Sequence, residues 1–330
     1  KRFGSWQSLV SGGNTSKIEI VPGPRIKPMY KKLVITGGNG FLGKSLMDYF
    51  GPKFHEIVIV SRKPIPTSSK IKWAKWDGET VGEWTKSLEG ADAVINLAGK
   101  NVDCRYTEKN RREILNSRIN STRILGEAIR KCVSPPAVWL NASSATIYVG
   151  SYGKLMTEFD GDTGDDFSMT VCKKWEETFN SFRDISTRQV ILRISIVLGW
   201  EGAALPALAT LAKFGLGGHQ GDGKQFCSWI HITDFCRAVE WAIDNPSATG
   251  VYNITAPVPL PNQDFMSEIR RKVKAPFGLP APAWLLELGA AIIRTETELV
   301  LKSRKVYPKR LLDEGFVFKY ETLNEAMRGL

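Results

Sequence analysis

The sequence predicts an α/β fold in which a doubly wound parallel sheet carries a smaller, mainly helical C-terminal region. Two observations lead there. Leu33-Val-Ile-Thr-Gly37-Gly38-Asn39-Gly40-Phe41-Leu42-Gly43 passes from a buried-strand run through spaced glycines into an amphipathic helix. Buried-strand and helix patterns then alternate through about the first 200 residues, the signature of a parallel sheet covered on both sides. A chain of 330 residues, 42% hydrophobic, can bury a core of that size.

Taken in order, Leu33 to Ile35 suits a strand buried on both faces, and Phe41, Leu42, Leu46 and Phe50 recur at helical spacing, so the period changes at the glycines. Residues 56–61 form the next strand pattern. Residues 91–99 read as a strand running to a small-residue end, and 108–131 as a long charged helix with Ile114, Ile119, Ile124, Leu125 and Ile129 on its apolar face. A strand over 137–144, a helix over 167–182 and a strand over 189–199 follow. Beyond Gly199 the pattern loosens into Gly-rich loops that suit a substrate lip. Asp234 reads as the N-cap of a helix over 235–243, and 251–255 as a short strand. Helices are predicted over 284–294 and around 296–304, and Phe316, Phe318 and Tyr320 alternate as a strand would. The chain thus divides into a basic tail (1–30), a core (31–200) and a substrate-side region with a C-terminal domain (201–330), from which strands can return to the core sheet.

The formal charge of +11 raises nucleic acid or an acidic membrane as a partner. Its location argues against both. Lys1, Arg2, Lys17, Arg25, Lys27, Lys31 and Lys32 stand against Glu19 alone in the first 32 residues, seven basic residues to one acidic, so more than half of the excess precedes the glycine motif. That leader fits a flexible tail, a vector-derived remnant or a partner-binding arm. It lacks the apolar run of a secretory signal, and no apolar stretch is long enough to span a bilayer. The expected location is cytoplasmic, with an organelle presequence as the alternative. The expected association is a homodimer or a partner docked through the tail, without nucleic acid. The five cysteines (Cys104, Cys132, Cys172, Cys227, Cys236) suit reduced thiols, and Cys227, His231 and Cys236 match no usual zinc spacing, so no metal is expected.

A strand that turns through glycines into a helix is how a backbone holds a pyrophosphate. Gly37 permits the bend, Gly40 lets N–H groups approach the phosphates, Gly43 allows close helix–strand packing, and the helix N-terminus supplies positive potential. The second strand ends in Ser61-Arg62-Lys63, where an NAD-preferring protein places a carboxylate for the ribose. Arg62 instead offers a planar charged fork and Lys63 a second charge, which favours NADP(H). Ligands of such sheets bind beyond the carboxyl ends of the strands. The candidate cofactor-binding residues are therefore Gly37, Asn39, Gly40, Phe41, Leu42, Gly43, Ser61, Arg62, Lys63, Asp77, Leu97, Ala98, Gly99, Ser143, Val197 and Leu198.

Thr36 to Gly43, the Asn96-Leu-Ala-Gly99 strand end and Ser143-Ser144 before Tyr148 resemble the extended short-chain dehydrogenase/reductases, the class of NAD(P)-dependent sugar-nucleotide epimerases and dehydratases. Trp229-Ile-His231, Asn253-Ile-Thr-Ala-Pro257 and Val306-Tyr-Pro308-Lys309-Arg310 with Glu314-Gly315-Phe316 resemble its atypical SulA-like epimerase branch, which carries its own C-terminal domain. The resemblance covers about residues 31 to 330. It implies a Rossmann core binding NADP(H), with a substrate site between core and C-terminal region. It also implies a Tyr-x-x-x-Lys pair on the helix after the Ser-bearing strand, the lysine lowering the tyrosine pKa and the tyrosine passing a proton. Aligned by Trp175-Glu176, this chain has Ser168 and Cys172 at those places, and neither can take the role unaided. Ser144 and Tyr148 remain as catalytic candidates, Ser144 orienting a substrate oxygen and Tyr148 or a water moving the proton. The expected function is an NADP(H)-dependent oxidoreductase or epimerase acting by hydride transfer on a small polar or sugar-nucleotide-like substrate. The alternative is a catalytically silent NADPH-binding regulatory or assembly protein.

Overall fold

The computed structural model describes residues 29–282 and 301–330, together with Trp284 and Glu287. A seven-stranded sheet organises it. β1 (Tyr30–Thr36), β2 (Phe54–Ser61), β3 (Ile71–Lys75), β4 (Ala93–Asn96), β5 (Val138–Ser144), β6 (Arg188–Ile194) and β10 (Gly250–Ile254) lie in the order β10-β6-β5-β4-β1-β2-β3. Every pairing is parallel. The direction of winding reverses between β1 and β4, which opens the crevice at their carboxyl ends.

Alternating strand side chains feed two cores. Leu33, Ile35, Ile57 and Ile59 point to the face covered by α1 (Phe41–Phe50) and α5 (Ile232–Asp244). Val34, Val58 and Val60 point to the other, covered by α2 (Glu108–Arg130) and α3 (Phe167–Asn180). A sheet buried on both faces needs such continuous apolar strands. β3 carries Lys72 and Lys75, so no apolar run announced it, and as an edge strand it can keep its lysines in water.

The segment after Gly199 holds more structure than its glycines suggest. α4 (Ala204–Lys213), α6 (Asn262–Lys272) and a last helix, Leu323–Gly329, which we number α8, enclose a third core with Trp229, Phe265 and Leu323. The helix between them in sequence, α7 (Lys309–Asp313), packs on β10. The strand predicted over 189–199 is two: after Ser195 the chain leaves the main sheet, and β7 (Ile196–Leu198) pairs with β9 (Trp229–His231). A two-residue β8 (Phe226–Cys227) pairs with β11 (Leu260–Pro261). Phe316, Phe318 and Tyr320 form no strand. Phe316 and Phe318 are buried edge to face against each other, and Tyr320 lies 4.1 Å from the His231 ring, so their alternation records burial rather than a ladder.

The N-cap of α5 is His231, not Asp234. The His231 Nδ1 accepts from Thr233 N at 2.9 Å, as a neutral ring can because burial lowers its pKa to about 4. Asp234 instead lies within the first turn, fully buried, accepting from Lys319 N at 2.9 Å and Tyr320 N at 2.8 Å and pairing with Arg237. One carboxylate thereby straps the C-terminal segment to the helix. The basic leader and most of the two helices predicted between 284 and 304 lie outside the described residues. Among the described residues no helix is long and apolar enough to cross a membrane.

Candidate functional site

The turn after β1 is tighter than the glycine spacing alone conveys. Gly37 has φ +71°, and a Cβ there would sit 2.8 Å from the Leu97 carbonyl, so β1 and the end of β4 touch through backbone. A Cβ on Gly43 would meet Gly38 Cα at 2.4 Å. Gly43 therefore lets α1 close onto the turn itself rather than onto a strand, and Gly38, absent from the predicted set, is its partner. Gly40 differs from both. It is the N-cap of α1, and the nearest atom to the place of a Cβ is Gly37 O at 3.8 Å. The amides of Phe41, Leu42 and Gly43 behind it have no intrahelical acceptor, so this open space is a cradle for an anion. The Phe41 ring packs against Gly199 and Gly202 and closes the far side.

Asn39 ties the turn to the end of β2. Its Nδ2 donates to Lys63 O at 3.1 Å, and Ser61 Oγ donates to the same carbonyl at 2.8 Å. Asn39 Oδ1 is buried and unpartnered, an acceptor suited to a ligand hydroxyl. Arg62 and Lys63 are exposed, and neither pairs with a carboxylate among the described residues. Asp77 is spent on its own loop, accepting from Glu79 N, Thr80 N and Thr80 Oγ1, which lower its pKa. The dinucleotide expected from the sequence fits this end: free amides for its diphosphate, an acceptor for a ribose, and two cations without a competing acid.

Under the crevice runs a buried polar ladder. Thr36 Oγ1 donates to Asn96 Oδ1 at 2.6 Å, and Asn96 Nδ2 donates to Asn141 Oδ1 at 2.7 Å, joining β1, β4 and β5. Asn96 Oδ1 also accepts from Ala98 N at 3.1 Å, and Leu97 N donates to Thr36 O. The Leu97–Gly99 end is fixed in this way beside the glycine turn.

The β5 end is built from side chains. A cavity of about 110 Å³ is lined by Val102, Tyr106, Ile114, Arg118, Ser144, Thr146, Phe167, Ser168, Val171, Cys172 and Trp175. Ser144 Oγ caps the following turn, accepting from Thr146 N at 3.2 Å and Thr146 Oγ1 at 3.1 Å, while its own proton points to Ile194 O at 3.5 Å. Ser168 and Cys172 do project from α3 into the cavity, where the family pair would stand. Burial pushes the Cys172 thiol pKa up, the wrong direction for a cationic or basic role. Lys173 pairs with Asp165 on the exposed face. Arg118 joins the two ends, because a Cβ on Gly99 would lie 3.2 Å from its Cζ.

Four predicted residues turn away from this surface. Ser143 is buried and donates to Glu176 Oε1 at 2.6 Å. Leu198 is fully buried in the third core, and Val197 leans on the first. Tyr148 is fully buried behind the cavity wall, its hydroxyl donating to Asn253 Oδ1 at 2.9 Å and accepting from Arg193 Nη1 at 2.7 Å. Burial raises its pKa. It is not among the residues that line the cavity. Sequence reasoning missed Tyr106, the tyrosine that does line it, and Arg118.

Fold and site together define a dinucleotide-binding α/β protein of the short-chain dehydrogenase type. The sequence matches the NAD dependent epimerase/dehydratase family over residues 33–255 and a domain of unknown function, DUF1731, over residues 281–330. The chain belongs to that epimerase/dehydratase family. Epimerase family protein YfhF of Bacillus subtilis (strain 168) is 33% identical over 299 residues, covering 90% of this chain and 97% of the relative. Epimerase family protein MW0731 of Staphylococcus aureus (strain MW2) is 33% identical over 301 residues, with coverages of 91% and 99%. The crystal structure of human epimerase family protein SDR39U1 (isoform 2) with NADPH matches with a TM-score of 0.81 at 31% identity, covering 90% of this chain and 98% of that one.

Proposed function

We propose that this chain is an NADP(H)-dependent oxidoreductase of the epimerase class, acting on a small polar substrate in the β5–α3 cavity. The observation that carries the reading is the continuity of the two ends through Gly99 and Arg118, which puts the Ser144 cavity next to an anion cradle. Arg62 and Lys63, free of carboxylates, support the 2′-phosphorylated dinucleotide, the one bound by the human relative at 31% identity. Bound there, the dinucleotide supplies a hydride donor or acceptor.

The residues of the chain would do the rest. Ser144 Oγ holds its proton in a bond of 3.5 Å, long enough to be exchanged for a substrate oxygen. Tyr106 provides the phenol on the cavity wall that can move a proton, a task α3 does not perform here. The cavity is below the usual range of about 300–1,000 Å³ for ligand pockets, which supports a small substrate over a sugar nucleotide.

A second reading, a silent NADPH-binding regulatory or assembly protein, is favoured by Ser168 and Cys172 in place of the acid pair. One experiment separates the two. The cofactor-stripped protein is titrated calorimetrically with NADPH and NADH, and NADPH oxidation is then followed with a panel of small carbonyl compounds. NADPH should bind about tenfold or more tighter than NADH, and Ser144→Ala and Tyr106→Phe should each lower kcat by about a hundredfold. Tight NADPH binding without oxidation by any carbonyl establishes the silent reading, and no heat with NADPH overturns both.

A further inference from the structure

Arg118 is a half-buried cation with no carboxylate partner among the described residues. It sits on α2 and lines the cavity, with its guanidinium carbon 5.1 Å from the Trp175 ring centroid. Nη1 donates to Lys100 O at 3.1 Å and to Ile114 O at 3.0 Å. Those bonds take two of the five N–H donors of a guanidinium. The edge formed by Nε and Nη2 has no partner, and no carboxylate lies within ion-pair distance of it among the described residues. The groups that share its field in the cavity are the Cys172 thiol and the Tyr106 phenol, and burial lowers its pKa.

The contrast with the other interior arginine of the β5–α3 region makes the point. Arg193 binds Glu176 with its Nε–Nη2 edge satisfied, Nε to Oε1 at 2.9 Å and Nη2 to Oε2 at 2.8 Å. Arg118 has the same kind of edge, stacked and pinned in one orientation, and nothing on it. A guanidinium cannot shed its charge, so holding it partly out of water and unpaired is less favourable than meeting an anion there. Packing and two carbonyl bonds explain where Nη1 is, but not why a guanidinium lines a largely apolar cavity with Ser144 on its wall.

We infer that Arg118 is an anion receptor, and that the substrate is a small carbonyl or hydroxyl compound carrying a carboxylate next to its reacting carbon. The inference rests on the oxidoreductase reading for the word substrate, but not for the anion site. The two oxygens of a carboxylate match the Nε–Nη2 edge bidentately. The neighbouring carbon is thereby presented toward Ser144 and Tyr106, and a two-carbon or three-carbon acid is of a size the cavity admits.

The test uses oxamate, a small carboxylate amide, against oxamide, its uncharged isostere. Each is titrated into the full chain with and without saturating NADPH, and NADPH affinity is measured separately for every variant. Oxamate should bind the NADPH-loaded protein about tenfold or more tighter than oxamide. Arg118→Met should erase that preference while leaving NADPH affinity within about threefold, and Arg118→Lys, which keeps the charge but not the fork, should retain part of it. Equal binding of the two probes, or no binding of oxamate, overturns the inference. A loss of NADPH affinity in Arg118→Met as large as the loss of oxamate also overturns it, and assigns the guanidinium to the cofactor. If Arg118→Met does not fold, the wild-type probe pair and Arg118→Lys decide. If NADPH itself fails to bind, the dinucleotide reading falls, and an oxamate preference on the unloaded chain still upholds the anion site.

Discussion

At the β1–β2 end of the crevice the surface offered to a ligand is backbone: free amides behind Gly40, a left-handed Gly37 against Leu97, and a turn with no room for a Cβ at Gly43. At the β5–α3 end it is side chains, with Tyr106, Arg118, Ser144 and Cys172 around a small cavity. The first end tolerates little, because its function and its packing use the same atoms. The second can exchange its chemistry while the wall behind it stays fixed. That wall is the buried chain Ser143–Glu176–Arg193–Tyr148–Asn253, which holds β5, α3, β6 and β10 together. The family's acid pair can be absent from α3 without loss of fold because the wall does not depend on it.

The largest expected effect tests the wall. Arg193 and Glu176 are an ion pair with side-chain exposures of 12% and 10%. Arg193→Met leaves the Glu176 carboxylate interior with only Ser143 to serve it, and should lower unfolding stability by about 3–5 kcal/mol in denaturant melts. Protein that remains folded should keep its NADPH affinity. A loss of NADPH binding larger than the loss of stability would show that the two ends are not separable.

Next come two glycines of one turn. Gly43→Ala forces a methyl against backbone at 2.4 Å and should destabilise the fold by about 3 kcal/mol. Gly40→Ala meets open space, so stability should stay within about 0.5 kcal/mol, while NADPH affinity falls about tenfold or more as the methyl enters the anion cradle. Melts and calorimetry on the pair read stability and binding independently. If Gly40→Ala binds NADPH as well as wild type, the diphosphate does not sit at the head of α1.

Arg62→Ala sharpens the assignment within the backbone end. Removing the fork should weaken NADPH by about 1.5–3 kcal/mol and leave NADH nearly unchanged. Equal losses for both cofactors would return Arg62 to a solvated turn.

The same contrast explains what the sequence made legible. The strand–turn–helix of residues 33–50 is readable because its function lies in glycines and period, which are local. Ser144 was readable as a strand end. Tyr148 was not, because whether a tyrosine one turn past a strand faces the cavity or the core depends on Arg193 and Asn253, 45 and 105 residues away. β6 and β7 read as one strand because Ser195 carries no breaker, and the switch of sheets is made by pairing with the distant Trp229. Arg118 did leave a trace. It falls on the inward stripe of α2 between Ile114 and Leu125, with Ser121 and Thr122, where a charge has no place unless it is used. In a helix carrying Arg111, Arg112, Arg123 and Arg130, that spacing distinguishes it from the solvated arginines.

The smallest effect separates two tyrosines. Tyr148→Phe removes a hydroxyl between Arg193 Nη1 and Asn253 Oδ1, and both partners stay buried with one bond fewer. A loss of about 1 kcal/mol in stability follows, since each retains other contacts: Arg193 its pair with Glu176, and Asn253 the bond from its Nδ2 to Tyr307 O at 3.0 Å. Turnover of a carbonyl that the wild-type protein reduces should not change, because the ring still fills its place and the hydroxyl never reached the cavity. Tyr106→Phe should do the reverse, lowering kcat with little change in the melt. A Tyr148→Phe protein that melts like wild type but turns over slowly would show that the wall rearranges during catalysis and that the two ends of the crevice share a proton path.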